Sequence, residues 1–276
     1  MIKNAPEEDT RTDSQKTDNC VYSWNHLTWD CAKAAWDGDL NRLQKLREQG
    51  AEWDHHTTSN AAGKGHFELL KWAVKKGCFF NVKTCDRAAL HGDIQILKWL
   101  RDQGCPWDEH TCSMAAFHGN LELLQWARIH GCAWDTETCA YAAMRGNLEV
   151  LKWARCNGCP WDMDTCSSAA ETGRMEVLQW AREHHCPWNE ITCAAAAEGG
   201  FLNILQWARS NGCPWDERTC SWAALDGHLE ILKWARSNGC PWDSKTIKYA
   251  RKRNHGHVVE WALANGCPDY LPKLIN

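Results

Sequence analysis

The chain carries no basic surplus: its 276 residues hold 31 Lys and Arg against 35 Asp and Glu, a net charge of −4. General nucleic-acid binding needs a cationic face that displaces counterions, so nucleic acid is not an expected partner. No run approaches the ~18–20 apolar residues of a membrane span, and residues 1–20 contain no apolar stretch of the signal-peptide type. These absences predict a soluble, cytoplasmic protein without membrane contact. No glycine-rich phosphate loop follows a strand pattern, and no acid pair or Ser–His or Cys–His constellation stands apart from the rest. The expectation is a protein that is not an enzyme, with no cofactor and no small-molecule substrate.

What the chain has in quantity is tryptophan, 19 residues, and cysteine, 17. An odd cysteine count in a long chain without a leader reads as thiols in a reducing compartment, not as a disulfide framework. Both residue types are placed periodically. "GCPWDERTC" (212–220) returns as "GCPWDEHTC" (104–112), "GCAWDTETC" (131–139) and "GCPWDMDTC" (158–166). Gly50, Gly77, Gly104, Gly131, Gly158, Gly212, Gly239 and Gly266 keep one register of 27 residues, with His185 in the glycine slot once. A second glycine, as at Gly200 and Gly227, follows fifteen positions on. Repetition in fixed register means units that stack, so nine are predicted: 23–49, 50–76, 77–103, 104–130, 131–157, 158–184, 185–211, 212–238 and 239–265. Residues 1–22, polar and mixed in charge, are expected to be a disordered tail, and 266–276 a C-terminal cap.

In unit 212–238, Cys220, Ala223 and Ala224 recur at helical spacing, Gly227 interrupts, and Leu229, Ile231, Leu232, Trp234 and Ala235 form a second apolar stripe. Each unit is therefore two helices of about ten residues, about 15 Å long, too short to be stable unstacked. The recurring phrase reads as a corner. Gly212 suits the left-handed position that ends a helix, and Pro214 prevents its resumption. Asp216 fits the N-cap, with Trp215 before it and Cys220 after it at the positions of a hydrophobic staple. Trp53, Trp107, Trp134, Trp161, Trp188, Trp215 and Trp242 occupy this staple slot. Unit 23–49 carries Lys45 where the second helix otherwise has tryptophan, suggesting a polar N-terminal cap repeat. Unit 239–265 has Arg251 in an alanine slot and its mid-unit glycine at Gly256, predicting a C-terminal cap repeat with one helix lengthened and the other shortened.

The stretch "TCSWAALDGHLEILKWA" (219–235) resembles the ankyrin-repeat pattern of an alanine pair, G-H-L-E and a leucine-rich second helix. The resemblance extends over 23–265, although the proline and histidine of the T-P-L-H start are absent and the unit is about six residues shorter than the usual 33. It is similar to the short Cys/Trp-rich ankyrin-like repeats of giant DNA viruses and some protists. That implies an all-α ankyrin-like solenoid whose β-hairpin fingers are shortened or absent, and a non-catalytic scaffold that binds a protein partner.

Candidate contact residues are those the scaffold does not dictate. On the first helix these lie three and six residues after the threonine. Arg87, Leu90, Met114, Phe117, Tyr141, Met144, Glu171, Trp222, Leu225 and Tyr249 are the candidates, on the first-helix, concave face. Met114, Phe117, Tyr141 and Met144 predict one apolar patch, and Trp222, Leu225 and Tyr249 another; the bland alternative is packing between units. The cysteines recur seven apart, as Cys105 with Cys112, without periodic histidine, so no metal site is expected and they read as small buried hydrophobes. Cys156 lies outside both cysteine slots and is the expected exposed thiol. His55, His56, His184 and His185 read as solvated turn residues, with adventitious metal binding as the alternative. "KYARKR" (248–253) reads as a solvated capping helix; the alternative is a nuclear-localisation patch and thus a nuclear protein. A monomeric binding scaffold is the expected function, with a cysteine-rich metal or redox buffer and a structural spacer as rivals.

Overall fold

The structure, a computed structural model, describes residues 26–269. The expected tail and all but the first residues of the expected C-terminal cap lie outside that range. Among the described residues there are helices and no strands. They run in pairs: α1 (His26–Asp37) with α2 (Leu40–Glu48), α3 (His55–Gly63) with α4 (Phe67–Lys75), α5 (Val82–His91) with α6 (Ile94–Asp102). Next come α7 (Glu109–His118) with α8 (Leu121–Ile129), α9 (Thr136–Arg145) with α10 (Leu148–Cys156), and α11 (Met163–Glu171) with α12 (Met175–Glu183). The array closes with α13 (Glu190–Glu198) and α14 (Leu202–Ser210), α15 (Glu217–Leu225) and α16 (Leu229–Ser237), α17 (Ser244–Lys252) and α18 (Gly256–Ala264).

Local chemistry explains each corner. At the end of α14, Gly212 takes φ +82°. Its N–H donates to the Arg209 carbonyl at 3.1 Å, and the next N–H, of Cys213, reaches back to Ala208 at 3.0 Å. This is the Schellman closure of a helix C-terminus, with Cys213 as its buried apolar residue. Four residues on, the Asp216 carboxylate accepts from the Arg218 N–H at 3.0 Å and starts α15.

The first helices stack on one another through the whole array, whereas the second helices pack mainly on their own partners. Buried alanine pairs such as Ala115–Ala116 and Ala223–Ala224, together with Cys112 and Cys220, let the first helices approach closely. Leu123, Leu124, Ile231 and Leu232 fill the layer between the two rows. This is an all-α solenoid of nearest-neighbour contacts.

One local reading needs correction. The last unit's helices are nine residues each, like their neighbours, because Asn254 itself enters the left-handed region at φ +61°. Asparagine tolerates that region, so the turn survives without glycine and Gly256 simply begins α18. At the other end, α1 leaves Trp29 and Trp36 54% and 42% exposed.

Candidate partner-binding face

Helical periodicity sets what each first-helix residue can do. In α7, Thr111, Cys112, Ala115 and Ala116 point into the stack and are wholly buried. Met114 and Phe117 fall on the other side and are half-buried. The same holds for Leu90, Tyr141, Met144, Trp222, Leu225 and Tyr249, while Arg87 and Glu171 are exposed. Between the two aromatic stretches, Ser168 and Ala195 occupy the corresponding slots and are buried.

The units do bring Phe117 and Tyr141 together. Their rings meet edge to face with centroids 5.9 Å apart and planes at 77°, a favourable geometry for the ring quadrupoles. The Arg145 guanidinium lies 4.8 Å from the Phe117 centroid. Burial, then Glu137, pushes the Tyr141 phenol above its ordinary range. Met114 also packs against the core. Among the described residues no ring contact joins Trp222 to Tyr249. Further along the row, burial and then Glu171 and Asp226 raise the Glu198 carboxyl, with Arg253 opposing.

The six-residue slot owes its freedom to its backbone. The orphan carbonyl there is claimed by the next unit: Leu90 by His118 Nδ1 at 3.0 Å, Phe117 by Asn147 at 3.2 Å, Met144 by the Thr172 hydroxyl at 2.8 Å, Glu198 by His228 Nε2 at 2.9 Å. Only the main chain serves the scaffold, so the side chain can vary. Trp36 holds the same slot in α1, where the Lys64 ammonium sits 3.7 Å from its ring, a member of the series that the sequence reading left out.

The staple tryptophans make contacts beyond those inferred from spacing. Trp215 meets Trp234 edge to face at 5.8 Å, and Arg209 of the preceding unit covers its ring at 4.1 Å. The same guanidinium donates to the Cys213 carbonyl. Trp107, Trp134, Trp161, Trp188 and Trp242 repeat this arrangement with Arg101, Arg128, Arg155, Arg182 and Arg236, and Trp53 with Arg47. Spacing within one unit leaves these arginines unassigned. A signal was present: where the arginine slot holds Val74, the tryptophan slot holds Phe80, so the two change together.

All described cysteines are free thiols, and all but Cys156 are buried. The loop thiols tie adjacent units. Cys132 donates to the Asp108 carbonyl at 3.1 Å, Cys186 to Asp162 at 3.3 Å and Cys240 to Asp216 at 3.4 Å. Burial pushes Cys78 up to about 12. Thiols of different slots also influence one another: interaction with the Cys132 thiol, then burial, pushes the Cys112 thiol far above its ordinary range. Asp54, His55 and His56 are the described residues whose side chains converge as potential metal ligands. A concavity lined by Gln44, Arg47, Glu48, Trp53, Trp72 and Lys76 opens between α2 and α4, its Arg47 already engaged with Trp53. No helix among the described residues is long and apolar enough to cross a membrane.

Paired short helices, glycine-closed corners and a first-helix row built on alanine pairs define a helical-repeat solenoid. Residues 59–101 match the family described as ankyrin repeats (many copies). That match and the helical units repeated along the described residues support an ankyrin-repeat protein. No curated protein sequence matches it.

Proposed function

We propose that this protein is a non-catalytic scaffold whose first-helix row binds a protein partner, with the Phe117–Tyr141 pair at the centre of the contact. Ankyrin repeats in general mediate protein–protein interaction. The observation that carries the reading is a half-exposed edge-to-face aromatic pair spanning two units, on a side the scaffold leaves unspecified. Aromatic side chains supply much of the energy of protein interfaces, and Met114 and Met144 beside them adapt to irregular surfaces. Arg87 and Glu171 form its charged rim, with Leu90 on the N-terminal side and Trp222, Leu225 and Tyr249 extending the face toward the C-terminus.

The test is affinity capture from the source cell, followed by measured binding of the recovered protein. Replacing Phe117 and Tyr141 together by serine is expected to keep the melting temperature nearly unchanged and to weaken binding tenfold or more, the equivalent of about 1.4 kcal/mol. Unchanged affinity would favour the spacer reading, and an unfolded variant would assign the rings to the core.

A further inference from the structure

The N-terminus of α3 differs from those of the other first helices in carrying two adjacent histidines after its cap. Asp54 is the N-cap; one carboxylate oxygen accepts from the His56 N–H at 2.9 Å, the other lies 2.9 Å from His56 Nδ1. The His55 ring tilts against His56 with centroids 4.2 Å apart, and Phe79 of the next unit stands 5.9 Å from it. One ligand atom from each of Asp54, His55 and His56 falls within 4.8 Å of the others. The convergence is built by the fold: the Asp54 carbonyl accepts the Cys78 thiol at 3.3 Å, and the cap geometry fixes the first turn.

We propose that Asp54, His55 and His56 form a binding site for a divalent transition-metal ion of the zinc class. Two imidazoles and one carboxylate are the donor set such ions take with water completing the shell. Calcium and magnesium want oxygen ligands throughout and are poorly matched. Lys83 beside His55 and the positive end of α3 oppose a cation, so the site binds more weakly than an enclosed structural zinc centre. The bound ion would clamp the cap to the first turn of α3.

The probes are Co2+ and Zn2+ alone, added to tag-free protein in a non-chelating reductant. One equivalent of Co2+ is expected to give visible d–d bands without the near-ultraviolet thiolate charge-transfer band, and Zn2+ is expected to displace it. D54N and H55A should each weaken binding tenfold or more. Asparagine already caps α5 and α13, with Asn81 and Asn189 accepting N–H bonds at 3.1 and 3.0 Å, so D54N keeps the fold. H184A removes one member of the other adjacent histidine pair and should change nothing. Metal-free melting of D54N at the parent temperature separates lost ligation from lost structure. A thiolate band would reassign the metal to cysteine. Equal loss in H184A would make binding adventitious, and either that, undiminished binding in D54N and H55A, or no saturable binding overturns the proposal.

Discussion

The guanidinium carbon of Arg209 lies 4.1 Å from the centre of the Trp215 ring, across the boundary between two repeat units. Arg209 closes one helix and Trp215 precedes the cap of the next, so the stack ties consecutive units at a corner that is otherwise glycine and proline. Such a pair is worth roughly 0.5–2 kcal/mol, depending on how dry it is.

Trp215→Ala removes this contact and the edge-to-face contact with Trp234. A half-buried site should cost less than a fully buried Trp→Ala, about 2–3 kcal/mol. Hydrogen exchange should show the loss concentrated in the flanking units. The double variant Arg209→Val with Trp215→Phe copies the Val74–Phe80 corner already present. It should be more stable than the sum of its single variants, read as a coupling energy from urea titrations. Strict additivity would mean that the two side chains do not act as a unit.

Asp86 sits where neighbouring first helices carry serine or alanine, and accepts the Thr111 hydroxyl at 2.8 Å. Burial pushes its carboxyl up to about 6, with the Thr111 bond opposing. The folded state thus holds the proton more tightly than the unfolded chain. The corresponding stability is fully present below about pH 4 and is lost as pH rises through 6. Asp86→Ser should therefore stabilise the protein above pH 6, by about 1 kcal/mol after allowance for solvent screening. The gap between the two stability–pH curves should close toward pH 4. A parallel offset at all pH values would contradict the assignment.

Thiol labelling should divide the cysteines sharply. Under native conditions Cys156 is expected to react fast and the buried loop and helix thiols slowly, because burial disfavours the thiolate. Peptide mapping after a short pulse of reagent distinguishes them. Early labelling at Cys112 or Cys132 would show that the unit interfaces open readily.

His185 occupies the glycine slot of its corner with φ +65°, a region costly for a residue with a Cβ. Its side chain is exposed, so little packing is lost by removing it. His185→Gly should raise stability by about 1 kcal/mol, or a melting temperature roughly 2–4 °C higher. An unchanged or lower melting temperature would point to a contact made by the imidazole.

Much of this architecture was legible in the chain because one 27-residue unit repeats with so little variation. Gly212, Pro214 and Asp216 each carry a local constraint, on φ, on the missing N–H and on the free carboxylate, and local constraints can be read in order along the chain. The alanine pairs and the threonine–cysteine stripe likewise announced the buried face through helical period alone. Asn254 escaped because two residue types satisfy the same left-handed turn, and only the backbone shows which residue took it. Contacts between units were harder still, since they join residues by the stacking of separate corners. The Arg209–Trp215 stack, the Cys240 thiol on the Asp216 carbonyl and the Cys112–Cys132 pair all cross a unit boundary. The same applies to the first-helix row. Residue spacing put Phe117 and Tyr141 in equivalent regions of adjacent units, but the stacking distance and tilt of α7 on α9 made them an edge-to-face pair. Local sequence determined the helices, their corners and their buried faces; tertiary packing decided which side chains from different units meet, because that depends on the rotation and spacing between units and not on period within them.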